Sequence, residues 1–338
     1  MEKLKKDNWL KLYKIADEIK KLKPWKKLWD MDLFMYIEDN DIDNALYFCT
    51  MGKGGVHESI AVYRGKEICG YLDLLDTNGD AIMGINYQEC LKVCYLEKID
   101  TLPENQKLIK ELNIKYKDKW TSFEKFERGY EFSSINDDDV LLMTKYLEIY
   151  YDMYQKYVNE KLKIDFENQF GLIRKMNKKT GKYEDIIDKI VYPLVKRKIL
   201  DVSQYQDKLK KLKKNNMELE VDFMNYLPVR IDDCKSKDNR YLYPVLYLLA
   251  DEKKGIIIDM NLIENKENYD EIIDECTNRF INFIRENGIP KKIIIGDNQT
   301  LLFLSELCDF LNIKIEFKSP LPMISEIKEM ALNDMFGI

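Results

Sequence analysis

The stretch Gly288 to Phe317, GIPKKIIIGDNQTLLFLSELCDFLNIKIEF, decides how the second half of the chain is read. After Pro290 comes a short apolar run centred on Ile293–Ile295, rich in β-branched side chains, which predicts a buried strand. An Asp-Asn pair follows at 297 and 298, and from Thr300 the apolar residues return at helical spacing as far as Leu311. The isoleucines of IKIEF then restore a strand pattern. Asp297 sits at the joint and has two readings. It is a helix N-cap, a role that Asn298 or Thr300 fills equally well, or it is a metal-binding carboxylate at the end of a buried strand. The cap is the commoner case.

Working outward, LEVDFMNYLPVRI (219–231) is a strand candidate, and RYLYPVLYLLADEKKGIIIDMNLIE (240–264) reads as two strands around the turn DEKKG. NYDEIIDECTNRFINFIRENG (268–288) is a helix closed by Gly288, and MISEIKEMALNDMF (323–336) is a last helix. Three strands, helix, strand, helix, strand, helix is an order that builds a mixed, partly parallel sheet with helices on both faces. Residues 215–338 form this α/β domain.

The first half reads as an α+β domain, residues 1–160. DNWLKLYKIADEIKKLK (7–23) has Leu10, Tyr13, Ile15, Ile19 and Leu22 near helical spacing, and Pro24 stops it. ALYFCTMG (45–52) and HESIAVYRG (57–65) form a hairpin, KEICGYLDLLD (66–76) returns to a helical period, and ECLKVCYLEKID (89–100) is a strand. Pro103 opens a helix through Leu112, and WTSFEKFERGYEF (120–132) is extended. Asn136 caps a long helix whose first turn holds three acids. Its tyrosines 146, 150, 151, 154 and 157 form a stripe that suits packing. Residues 161–214 are read as a connector, made of a hairpin around KKTGK and a helix, SQYQDKLKKLKKNN (203–216), carrying Lys208, Lys210, Lys211, Lys213 and Lys214.

The totals bound the function. In 338 residues, 45% hydrophobic and 34% charged, the net charge is only -6, so both signs share a solvated surface. No apolar run approaches the roughly 20 residues that span a bilayer, and the N-terminus has no signal core, so a cytoplasmic protein without a membrane partner is expected. Seven scattered cysteines read as reduced, buried thiols. Cys90, Cys94 and His57 offer three zinc ligands without the paired spacing of a structural site, and a single histidine removes His-based triads. MGKGGVHES lacks the strand-to-helix context of a phosphate loop. TNGDAIMG (77–84), which follows Asp76, starts like a calcium loop but has Tyr87 where the closing glutamate belongs. Asp251 reads as a turn residue, and Asp259, inside an apolar strand, needs a partner or an exposed edge.

Residues 218–338 resemble the RNase H-like core of retroviral integrases and transposases, in YPVLYLLADEKKGIIIDMNL and in the Asp-Asn after a buried strand. The resemblance implies carboxylates that hold two magnesium ions for phosphodiester chemistry. Carried over by position, it points to Asp222 on the first strand, Asp297 after the fourth, and Glu329 or Glu326 on the last helix, with Asp222 and Asp297 as metal ligands. The pattern departs at Gln299, where such cores carry glycine. Residues 215–338 also hold 14 Lys and Arg against 23 Asp and Glu, a formal -9. Binding phosphate backbones relies on Lys and Arg, so nucleic acid is a disfavoured partner. Asp222 is expected on the strand face opposite Val221 and Phe223, exposed.

The whole chain also resembles an uncharacterised family of bacterial two-domain proteins whose halves are both domains of unknown function. The matching stretches are WLKLYKIADEIKKLKPWKKLWDMDLF, YFCTMGKGG and IAVYRGKE in the first half, and RYLYPVLYLLADEKKGIII and NGIPKKIIIGD in the second. The expectation is a non-catalytic cytoplasmic interaction protein with a degenerate RNase H-like domain, a protein partner and no cofactor. The alternative is a magnesium-dependent nuclease or phosphodiester-transfer enzyme.

Overall fold

The computed structural model describes residues 3–76, 88–194, 202–227, 230, 234–236, 240–264 and 269–327. The calcium-loop-like 77–84 and Glu329 lie outside them. The chain divides into two compact units, residues 1–72, 88–128 and 132–195 in the first, and 73–87, 129–131 and 196–338 in the second.

In chain order the elements up to residue 189 are α1 (Lys3–Leu22), β1 (Phe34–Ile37), β2 (Leu46–Met51), β3 (Ser59–Arg64), α2 (Glu67–Asp76), β4 (Cys90–Leu96), α3 (Pro103–Glu111), β5 (Trp120–Phe126), β6 (Ser133–Ser134), α4 (Asp137–Asn159), β7 (Phe170–Asn177) and β8 (Lys182–Lys189). The eight strands make one sheet in the order β6-β5-β4-β3-β2-β1-β7-β8. One face, with Phe34, Phe48, Val62, Val93 and Phe123, packs against α1, α3 and α4. Helix α4 starts as its sequence predicts. The Asn136 side chain accepts from the backbone N–H of Asp138 and Asp139, and Asp139 reaches back to the Asn136 N–H. Tyr146, Tyr150 and Tyr154 of its stripe are buried.

Three expectations change here. The buried stripe of α1 is Trp9, Leu12, Tyr13, Ala16 and Ile19, and Leu10 is exposed, because the helix face is set by the two large rings that meet Phe123. Strand β1 went unread in the sequence, since four residues bounded by acidic loops carry little periodicity. The hairpin placed in a connector joins the first sheet: β7 pairs parallel with β1, Leu172 beside Phe34.

The second unit holds α5 (Gln206–Leu209), β9 (Glu218–Tyr226), β10 (Val245–Asp251), β11 (Ile256–Ile263), α6 (Tyr269–Asn287), β12 (Lys292–Ile295), α7 (Asn298–Leu311), β13 (Lys314–Phe317) and a last helix, α8, at 322–327. The sheet order is β11-β10-β9-β12-β13, with β9, β10 and β11 antiparallel and β9, β12 and β13 parallel. Its core face carries Leu219, Val221, Phe223, Tyr247 and Ile293 against α6 and α7. The opposite face carries Leu246, Leu248, Ala250 and Ile294 against Leu321 and Ile324. This is the expected mixed α/β arrangement.

The lysine-rich helix is only one turn long. Beyond Leu209 the backbone leaves the helix because it has better partners: Ile289 N–H donates to Lys213 O at 2.9 Å, and Asn215 N–H to Ile289 O at 2.9 Å. Gly288 allows the approach, since a Cβ there would lie 2.6 Å from Lys213 O. The lysines serve the fold as well: Lys214 Nζ donates to Asn312 O at 3.0 Å, at the negative end of α7. Among the described residues no helix is long and apolar enough to cross a membrane.

Candidate functional site

Strand β9 is central, and its alternation separates two chemistries. Leu219, Val221 and Phe223 enter the core under α6 and α7, so Glu218, Glu220 and Asp222 take the other face. Asp222 does lie opposite Val221 and Phe223, but it is 4% exposed. The expectation of an exposed aspartate fails because β9 has neighbours on both sides and α8 on this face.

Asp297 follows Gly296 at the end of β12. Its Oδ1 accepts the Thr300 N–H at 2.8 Å, which makes it the N-cap of α7. Thr300 Oγ1 then donates to Phe223 O at 2.9 Å, fastening the start of α7 to β9. Strands β12 and β9 run parallel with Ile295 beside Val221, so Asp297 ends up level with the residue after Asp222. The two aspartates therefore stand on adjacent strands, Asp222 buried in the middle of β9 and Asp297 just past the end of β12 as a cap. Glu326 is exposed on α8. Among the described residues no group of three His, Cys, Asp or Glu side chains is placed to hold a metal ion. A two-metal centre needs converging carboxylates, and the described donor set falls short of one.

Nothing in the residue pattern marks Glu220. It is fully buried, and its Oε2 accepts the N–H of Met323 and of Ile324, both at 3.1 Å, in the first turn of α8. Its Oε1 is buried with no hydrogen-bond partner among the described residues. Burial pushes the carboxyl above its usual range; the α8 N–H groups and Lys318 pull it back, and Glu252 adds to the rise. A raised folded-state value means that this group contributes its stability below the unfolded carboxyl value and loses it as pH rises through the folded one. Glu220→Gln removes the charge and keeps the acceptor for α8. The thermal midpoint of the variant relative to wild type is therefore expected to be higher at pH 8 than at pH 4, and a pH-independent difference would refute the assignment.

At the other end of this face the charges pair. Glu218 meets Lys253 at 2.7 Å and Lys292 at 3.1 Å, and these two hold its carboxyl down at about 2. Lys292 also reaches Glu316 at 3.1 Å, and Lys318 reaches Glu252 at 3.0 Å.

The first unit has its own polar patch, on the sheet face opposite the helices. Alternation along β4 lines up Cys90, Lys92 and Cys94, with Glu124 of β5 beside Lys92. Cys94 Sγ donates to Glu124 Oε2 at 3.4 Å, Cys49 Sγ to Asp30 O at 2.9 Å, and Tyr71 OH to Asp30 Oδ2 at 3.0 Å. Burial pushes the Cys90 thiol up to about 12 and raises Cys49 and Cys94 as well. Thiols held protonated are poor nucleophiles, and among the described residues no such group is placed to hold a metal ion, so the patch reads as polar core. None of the seven cysteines, all among the described residues, forms a disulfide. Asp251 is the expected turn residue, its Oδ1 accepting from Lys253 and Lys254 N–H at 3.1 Å. Asp259 lies on β11, an edge strand.

Residues 9–174 match a family model described as a domain of unknown function (DUF7309), and residues 206–331 match a second, also a domain of unknown function (DUF6930). Neither family model carries an assigned function. No curated protein matches it. Solved structures similar to it include the HTLV-2 integrase catalytic core domain in complex with magnesium in its trimeric form, at 16% identity and a TM-score of 0.23, covering 36% of this chain and 76% of that one. The dimeric form gives the same identity and score over 35% and 74%. The simian T-cell lymphotropic virus intasome in complex with PP2A regulatory subunit B56 gamma does so over 38% and 44%. Scores of this size assign no shared fold. The DUF6930 match spans β9 to α8 and so includes Asp222, Glu220 and Asp297.

Proposed function

We propose that the second unit is an RNase H-like core that serves interaction and not catalysis, in a cytoplasmic protein. The strand order supports the core: third, second, first, fourth and fifth in chain order, the first three antiparallel and the last two parallel to the first. The observation that carries the non-catalytic reading is the covering of Asp222. A carboxylate that binds metal and substrate has to face an open cleft, whereas this one is 4% exposed, on a face where Leu248 and Ile294 pack with Leu321 and Ile324. Asp297 is engaged with Thr300. Seven cysteines without a disulfide among them fit a reducing compartment.

A second reading has one observation in its favour. The parallel register of β9 and β12 sets Asp222, in mid-strand, within one residue of the level of Asp297 on the neighbouring strand, which suits a magnesium-dependent phosphodiester enzyme that recruits Glu329 or Glu326 as its third acid. Magnesium would there polarise the phosphate and activate water, and Asp222 and Asp297 would hold it. Thermal unfolding with and without millimolar manganese separates the two, because a cation bound to the native state raises the midpoint by mass action. The expected result is a shift below about 1 °C, the sign of no native-state binding. A rise that disappears in Asp297→Asn would overturn the non-catalytic reading.

A further inference from the structure

Strand β11 is an edge: among the described residues β10 is its only strand neighbour. Edge strands are usually guarded by lysine, proline or short length. β11 is eight residues long, IIIDMNLI, and has neither lysine nor proline. Ile256, Ile257, Met260 and Leu262 are 48%, 45%, 54% and 41% exposed. Met260 and Leu262 sit beside Leu248 and Leu246, so the exposed side chains continue an apolar sheet face up to an unpaired backbone edge.

We propose that β11 is the dimer interface of this protein: two copies pair β11 antiparallel about a two-fold axis between Asp259 and Met260, joining two five-stranded sheets into one of ten. Two features select a second copy as the occupant. The strand is self-complementary about that axis. Ile257 of one copy meets Leu262 of the other on one face, and Ile256 meets Ile263 on the opposite face, with faces taken from the pairing of β11 to β10. The irregularity between Leu249 and Ala250 falls next to the axis, so the new ladder is interrupted once, at its centre, and each half keeps its alternation.

Charge selects the same partner and direction. Lys253 and Lys254 precede the strand and Glu264 follows it, all exposed. Antiparallel pairing sets Glu264 of each copy opposite Gly255 of the other, diagonal to Lys254, whereas in-register parallel pairing would set lysine against lysine. The contact of Lys254 with Asp251, at 3.3 Å, leaves its side chain 62% exposed and able to reach across. The inference holds whether or not the carboxylates of β9 and β12 are catalytic.

Sedimentation of the full chain from roughly 1 to 100 µM, the range in which protomer concentration sets the population of a modest dimer, tests it. The expected result is a concentration-dependent dimer. Met260→Glu, which sets an acid against Asp259 of the other copy, should weaken it at least tenfold, Lys254→Glu should weaken it severalfold, and Lys254→Glu combined with Glu264→Lys should restore it. These positions are exposed, so the variants keep their fold, which circular dichroism checks. A monomer at every concentration would overturn the proposal. So would a dimer indifferent to Met260→Glu, or a charge swap that fails to rescue, since each places the contact elsewhere or with another partner.

Discussion

Phe223→Ala is expected to lower the stability of the second unit by about 4 kcal/mol, at the upper end for deletion of a buried aromatic. Phe223 is fully buried and joins the sheet to both core-face helices. Its ring stacks on Tyr247 at 4.9 Å, and it touches Phe280 of α6 at 5.6 Å and Phe303 of α7 at 6.4 Å. Alanine would leave a cavity walled by three rings on three different elements, none of which can move in without leaving its own helix or strand. For a unit of this size the loss corresponds to a midpoint lower by about 12 °C. All four tryptophans, Trp9, Trp25, Trp29 and Trp120, belong to the first unit. The loss should therefore appear in far-ultraviolet circular dichroism while the tryptophan fluorescence transition stays near its wild-type position. A fluorescence transition that moves equally would mean that the two units unfold as one.

The converse variant is Gly65→Ala. Gly65 ends the β2–β3 hairpin with φ of 51°, and a Cβ there would lie 2.0 Å from Asp43 O. The Gly65 N–H donates to Ala45 O at 2.7 Å, so the backbone cannot retreat without losing a hydrogen bond. The left-handed conformation costs a non-glycine residue about 1 kcal/mol, and overpacking against rigid backbone adds about 2 kcal/mol. With a urea slope of about 2 kcal/mol per molar, the fluorescence-detected midpoint should fall by about 1.5 M. An unchanged midpoint would show that the 42–44 turn yields freely.

Much of this architecture can be read directly from side-chain spacing. The run from Gly288 to Phe317 is legible because β-branched isoleucines, an aspartate cap and an amphipathic helix agree with one another at every step, and the structure has β12, α7 and β13 there. Asn136 and the three acids after it announce α4 for the same reason. Asp222 was legible as to its face and illegible as to its burial, because exposure depends on α8, more than a hundred residues later in the chain. Glu220 was invisible on the same ground: a glutamate at a strand position reads as solvated until the helix it caps is in place. The lysine-rich segment misled because its helical spacing is real, and tertiary pairing with Lys213 and Asn215 overrides it. The row of Cys90, Lys92 and Cys94 could have been found from alternation alone, since three such side chains at every second position must share a face.

The pairing of β1 with β7 carries a consequence for the newborn chain. Phe34 and Leu172 are neighbours in the sheet, yet the ribosome makes them 138 residues apart. Strands β2 to β5 can zip together one after another as they emerge, each pairing with the strand made just before it. At about 10 residues per second, β1 waits on the order of 10 s with one side unclaimed. Throughout that interval the nascent sheet offers a bare hydrogen-bonding rim of apolar residues, Phe34, Met35 and Tyr36, to whatever else is being made nearby. Slowing translation between residues 40 and 170 should lengthen this window and cost soluble yield, and chaperone binding to stalled chains should stop once β7 has left the exit tunnel.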